Sequence, residues 1–216
     1  MIKSNVLQKL TLSPSLSDNT GCTILKAAMK LFSKKGLNGT TTREIAGLAK
    51  VNIAALHYHW GGKEDLMKAV YEQMISEVAL LGARLMQAPE KKLNETFRDI
   101  LGELHDFFTQ NPDYARLLLY VDLEDPEFLK NVRETTVIPL IQQTSDYLKK
   151  LMKQGKIRKI DPEASLISFY GSLMQPFISG SVQRSILQNQ ELTDPKTAKR
   201  FKDQFLDIVL TTLGLS

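Results

Sequence analysis

The chain has 216 residues, 43 % of them hydrophobic and 24 % charged, with a formal net charge of +4, a composition that suits a globular protein with a sizeable buried core. No apolar run approaches the roughly 20 residues that span a bilayer, so no transmembrane helix is expected, and the first residues lack the apolar segment and cleavage site of a signal peptide. The single cysteine, Cys22, excludes an internal disulfide framework, fits a reducing cytoplasm and reads as a small helix residue.

The charge is unevenly placed. Residues 1–65 hold nine Lys and Arg against four acids, a net of +5, whereas the other 151 residues carry 19 basic and 20 acidic groups, a net of −1. A basic head on a near-neutral body is the distribution of a phosphate-binding protein. Residues 1–18 show no sustained period and read as a flexible arm. That arm is either idle or touches DNA through Lys3 and Lys9.

A first helix is predicted from about Thr20 to Lys35, with Ile24, Leu25, Ala28, Leu31 and Phe32 as its core stripe and Gly36 as a left-handed cap. In Thr41-Thr42-Arg43-Glu44 the first Thr and the Glu have capping-box spacing. Ile45, Ala46, Leu48 and Ala49 then supply an inward face. Lys50-Val51-Asn52 breaks the pattern, and Asn52 suits the N-cap of a second short helix, about Ile53 to His59. Leu56 is that helix's one clearly buried aliphatic. Gly61-Gly62 permits a sharp reversal, after which a long helix runs from Lys63 to about Gln87 with Leu66, Val70, Met74, Val78 and Leu81 along one side. Two short helices around a tight turn have the shape of a helix-turn-helix, whose second helix enters the major groove.

No strand signature follows. Leu93, Phe97, Ile100, Leu101, Leu104 and Phe108 predict a helix ending at Asn111-Pro112, and Tyr114, Leu117, Leu118 and Val121 the next. Asp125-Pro126 opens a long helix to about Gln154, with a kink or break near Val137 because Pro139 lies inside it. Asp161-Pro162 starts a helix to about Leu187, again with an interior Pro176, and Asp194-Pro195 starts the last, closed by Gly214. Eight or nine helices are expected in an all-α chain.

The order Ala46, Ala49, Val51, Leu56, His57, His59, Trp60, Lys63, Glu64, Leu66, with the preceding AAMKLFSKKGLNGTTTREIA, resembles the N-terminal signature of the tetracycline-repressor (TetR) family of bacterial regulators over roughly residues 21–70. The resemblance implies a three-helix DNA-binding domain at 19–66 behind the arm at 1–18. It also implies a helical effector-binding and dimerisation domain at 67–216.

Thr42, Tyr58 and Lys63 suit phosphate contacts and match phosphate-contacting positions of the family. Base reading should fall on Arg43, Asn52, Ile53, Ala54, Ala55, His57 and His59, with Arg43 suited to guanine because its fork bonds two acceptors. The reading helix is poor in polar groups, which shifts weight to thymine methyls and DNA shape. His57 stands where family members more often have tyrosine. Trp60 replaces the usual Phe and reads as a core plug rather than a base-stacking group. His57 and His59 are two apart and do not share a helix face, so no metal is expected, and no cofactor either.

The resemblance also implies an effector pocket in the body. The polar, aromatic or thioether residues set in apolar faces are His105, Phe108, Tyr114, Tyr120, Met152, Tyr170, Met174 and Gln175, each of which reads equally as ordinary core. The last two helices carry more apolar surface than one core needs, which suggests a homodimer through Phe169, Leu173, Phe177, Phe201, Phe205 and Val209. The function expected is a dimeric cytoplasmic repressor, released from a palindromic operator by a small apolar or aromatic ligand. The alternative is a sequence-tolerant architectural DNA binder or helical interaction protein. An enzyme is not expected, for the chain shows no nucleophile, base or metal set.

Overall fold

Capping chemistry sets several of the helix boundaries. The computed structural model describes residues 19–87, 89, 92–124, 126–177, 185–186, 190–192 and 194–215, so the arm expected at 1–18 lies outside the described residues. All the regular structure among the described residues is helical, with nine α-helices of more than one turn: α1 Asn19–Lys35, α2 Thr42–Ala49, α3 Ile53–Trp60, α4 Lys63–Met86, α5 Leu93–Gln110, α6 Pro112–Glu124, α7 Ile138–Lys153, α8 Pro162–Met174 and α9 Pro195–Leu213. Asp161 and Asp194 each cap the helix that follows, accepting from Ala164 N–H at 3.0 Å and Thr197 N–H at 2.9 Å, with Pro162 and Pro195 in the first helical position. A proline there removes only a donor that no helical carbonyl could reach. At the other end of α9, Gly214 takes the left-handed conformation (φ 74°) that closes the helix.

Two helices differ from expectation, both at prolines. In place of one helix from Pro126 to Gln154, the chain makes a 3-10 turn at Glu127–Leu129, an α turn at Lys130–Val132 and a π turn at Arg133–Val137 before α7 begins. Pro139 supplies the reason. It has no N–H for the Thr135 carbonyl four residues back, and its ring would collide with that carbonyl, so the preceding turn widens. The expected cap Asp125 lies outside the described residues. Likewise α8 stops at Met174, not near Leu187, and tightens into a 3-10 turn at Gln175–Phe177 around Pro176.

The chain divides into two compact units, residues 1–78 with 113–137, and residues 79–112 with 138–216. In the first, α1, α2 and α3 pack against one another over Ile24, Ala28, Phe32, Ile45 and Leu56, all fully enclosed. Leu48, expected to face inward, is 45 % exposed. This unit also contains α6, whose Tyr120 ring occupies the space a side chain at Gly36 would need. Gly36 therefore meets two demands, a positive φ (67°) at the end of α1 and close approach of an aromatic ring.

In the second unit α9 packs along α5, and α8 contacts both α7 and α9. Lys202 of α9 bonds Asp106 of α5 at 2.6 Å, and Glu163 of α8 accepts from Ser145 and Lys149 of α7 at 2.7 Å each. These packings also engage residues expected at a dimer surface. Leu173, Phe177, Phe205 and Val209 are buried within the single chain, because the amphipathic faces of α8 and α9 are already used in its core. Phe169 and Phe201 are half-buried. The large apolar side chains left exposed on these helices are Ile167 (73 %), Tyr170 (38 %) and Ile208 (40 %).

Candidate nucleic-acid interface

The start of α2 is fixed by its own sequence. Thr41 Oγ1 accepts from Glu44 N–H at 3.2 Å and Glu44 Oε2 accepts from Thr41 N–H at 2.9 Å, a reciprocal capping box. Lys35, at the end of α1, bonds the other carboxylate oxygen at 2.7 Å. That ammonium, and then the amide and hydroxyl of Thr41, hold the Glu44 carboxyl down at about 2. Lys35 is thus neutralised by Glu44, while Arg43, one residue before it, is exposed and has no partner among the described residues.

The turn that follows is made by Lys50, left-handed at φ 57° and ψ 39°, whose N–H reaches the carbonyls of Ala46 and Gly47. For an L-residue this conformation costs about 1–2 kcal/mol. The sequence marked the turn but not this strain, since a lysine after the last apolar position carries no signal for a left-handed backbone. Asn52 then caps α3, its Oδ1 accepting from Ala55 N–H at 2.6 Å, which occupies that oxygen and leaves the amide nitrogen for other work.

Leu56 and Trp60 hold α3 in place from beneath. Leu56 is fully buried, and Trp60 is 8 % exposed with its indole N–H donating to the Gly21 carbonyl at 3.2 Å. Trp60 is a core plug bonded to the first turn of α1. On the outer side Ile53, Ala54, His57 and Tyr58 are exposed, while Ala55 and His59 are half-buried. Tyr58 is 86 % exposed and stands edge-on to His59, ring centres 5.2 Å apart. His57 Nδ1 donates to the Gly61 carbonyl, which fixes its ring at the end of α3.

Thr42, in the first turn of α2, is half-buried, as is Lys63 in the first turn of α4. Lys63 Nζ donates to the carbonyls of Leu37 (3.1 Å) and Thr40 (3.4 Å), tying the α1–α2 loop to α4. This clamp was not read from the sequence, which gives no hint that an ammonium would close a loop 23 to 26 residues earlier. The ten expected DNA-contact residues thus all lie in α2, α3, the turn between them and the start of α4. Among them only Thr42, Ala55, His59 and Lys63 are partly covered.

The family description "Bacterial regulatory proteins, tetR family" matches residues 24–70, the stretch that forms this surface. The regulator RutR of Escherichia coli is 30 % identical over 151 residues, covering 69 % of each chain. The chain belongs to the TetR family. It is accordingly a DNA-binding transcriptional regulator with an N-terminal helix-turn-helix. The HTH-type transcriptional repressor NicS of Pseudomonas putida is 32 % identical over 105 residues, which span 47 % of this chain and 48 % of NicS. AcrR of Shigella flexneri is 25 % identical over 87 % of both chains. The fold is shared with PfmR, a TetR-family regulator of Thermus thermophilus (TM-score 0.66, 19 % identity, 88 % of this chain and 98 % of that one). It is shared also with a TetR-like regulator of a Rhodococcus species (TM-score 0.64, 19 % identity, 90 % and 96 %).

The residues expected around an effector in this TetR-family chain are distributed over both units. Tyr114 and Tyr120 belong to the first unit. The Tyr114 hydroxyl is pushed up by burial and by the Glu77 carboxylate, and Tyr120 is seated on Gly36. In the second unit His105, Phe108 and Met174 are buried, Met152 is half-buried with its sulfur accepting from Ile160 N–H at 3.3 Å, and Tyr170 and Gln175 are exposed. His105 shares a hydrogen bond with Thr109 at 3.3 Å and lies 6.1 Å from the Phe205 ring, while Phe108 lies 6.3 Å from Phe177. No helix among the described residues is long and apolar enough to cross a membrane.

Proposed function

We propose that the chain is a cytoplasmic homodimeric repressor that binds a palindromic operator through α2 and α3 and leaves it when a small apolar or aromatic effector binds residues 67–216. The observation that carries the DNA assignment is the outer face of α3. Ile53, Ala54, His57 and Tyr58 are exposed on a helix whose inner side is fully engaged by Leu56 and Trp60. In this reading Arg43 reads a guanine edge, with Asn52, His57 and His59 as the other polar readers. Ile53, Ala54 and Ala55 meet thymine methyls. Thr42 and Tyr58 bond phosphates, and Lys63 adds the one ammonium proton its two carbonyl partners leave over.

Dimerisation is supported by the exposed Ile167, Tyr170 and Ile208 on α8 and α9, which give those helices an outward apolar surface after the core has taken its share. Two heads on a two-fold axis can read half-sites spaced by one turn of DNA or a multiple. An effector of apolar or aromatic character is supported by two ring pairs in the second unit, Phe205 beside His105 and Phe108 beside Phe177.

Selection of bound duplexes from a random DNA pool by the purified chain tests this reading. Recovery of a two-fold symmetric motif, preferred over unrelated duplex by roughly a thousandfold or more, is the expected result. Equal binding of all duplexes at fixed salt would favour an architectural DNA binder instead. An effector is then found as a compound that raises the melting temperature and releases the selected duplex.

A further inference from the structure

Lys50 is the single non-glycine residue with a positive φ among the described residues. Glycine would make the same turn without steric conflict, and the two hydrogen bonds the turn supplies run from the Lys50 backbone N–H to Ala46 and Gly47, so any residue but proline could form them. The side chain offers the fold nothing in return. It is exposed, and its ammonium has no partner among the described residues. Strain of this kind persists where function selects the residue rather than the conformation.

The surroundings show which function. Gly47 and Arg43 precede Lys50 by three and seven positions, and all three are exposed. A Cβ built on Gly47 meets nothing within 4 Å. Two free cations therefore stand at the ends of a flat stretch of α2, about 10 Å apart along the helix axis. In a helix-turn-helix the first helix crosses the DNA backbone while the second enters the groove. We propose that Lys50 is a phosphate contact, and that the DNA strand crosses α2 over Gly47 between Arg43 and Lys50. The inference rests on the reading of α2 and α3 as the DNA-reading surface. It adds a contact at a position that the residues carrying the resemblance leave unspecified.

The test uses the full chain, the selected operator duplex and a scrambled duplex of equal length, with affinity measured from 50 to 200 mM salt. Lys50→Gly and Lys50→Asn tolerate the left-handed turn and remove the charge, while Lys50→Arg keeps the charge. Lys50→Gly is expected to melt at or above the wild-type temperature and yet bind both duplexes more weakly. Its plot of log affinity against log salt should be shallower by about 0.9 for each bound head, so that the wild-type advantage shrinks about threefold per head, or about twelvefold for a dimer, across that salt range. Lys50→Asn should match it, and Lys50→Arg should retain the wild-type slope. A wild-type slope in both uncharged variants overturns the inference. So does a loss confined to the operator, because a phosphate contact acts on every sequence. If wild type binds neither duplex, the DNA-reading surface itself is misassigned and the inference falls with it.

Discussion

Thr41 carries more of the head's local order than its size suggests. Its hydroxyl satisfies an otherwise orphaned amide at the start of α2, and its own amide is satisfied by Glu44. Thr41→Ala should destabilise the protein by about 1 kcal/mol in urea unfolding monitored by circular dichroism. Glu44 adds a pH dependence of known sign. Its carboxyl falls from an ordinary 4.5 to about 2 on folding, through Lys35 first and then Thr41. The stabilisation is therefore complete above about pH 4.5 and is lost as pH falls toward 2. Unfolding of wild type and Glu44→Gln across that range should show a difference that is largest at the upper end and closes at the lower. This box was fully legible in the sequence, because a capping box depends on residues three apart. The left-handed Lys50 was not, because its strain comes from a turn that α2 and α3 impose together.

At the scale of elements, α5 and α9 meet around a histidine. His105 is 2 % exposed, hydrogen-bonded to Thr109 and set against Phe205. Burial lowers its tendency to take a proton, against the opposing pull of Asp106 and with a smaller push from Lys202. A base depressed in the folded state binds fewer protons there than in the unfolded chain, so its effect runs one way: stability holds above about 6.5 and declines as pH falls below it. Urea midpoints at pH 7.5 and 5.5 should show wild type losing more stability than His105→Gln, which keeps polar atoms but does not titrate. The same packing engages four of the residues expected at a dimer surface. Amphipathic spacing showed that Leu173, Phe177, Phe205 and Val209 share inward-type faces, but not that the chain's own core would cover them. At Pro139 and Pro176 the sequence located the disturbances correctly. Their form, a π turn and a 3-10 turn, was not specified by the position of a proline alone.

At the scale of the whole molecule, the operator binding proposed for this TetR-family regulator requires two copies to associate. Ile167, 73 % exposed on α8, is the side chain to test. Ile167→Asp places a charge on the proposed dimer face without touching the buried core. Light scattering should report the monomer mass, and affinity for a palindromic duplex should fall roughly 100-fold or more, since each head would then bind alone. Affinity for a half-site duplex should be unchanged. A dimer of normal affinity in this variant would move the interface away from α8.

The sequence by itself determined what short-range chemistry governs. It set the capped starts of α2, α3, α8 and α9, the left-handed glycine closures, the helix-turn-helix and the basic head that sits on it. Each of these depends on residues within one or two helical turns of one another, where spacing and residue type suffice. Only the tertiary structure decided which apolar faces remain exposed, that Lys63 is clamped on the α1–α2 loop, that Tyr120 sits on Gly36, and that α6 belongs with the head's compact unit. Those outcomes join residues tens of positions apart, and an amphipathic stripe states that a face must be covered without stating by what.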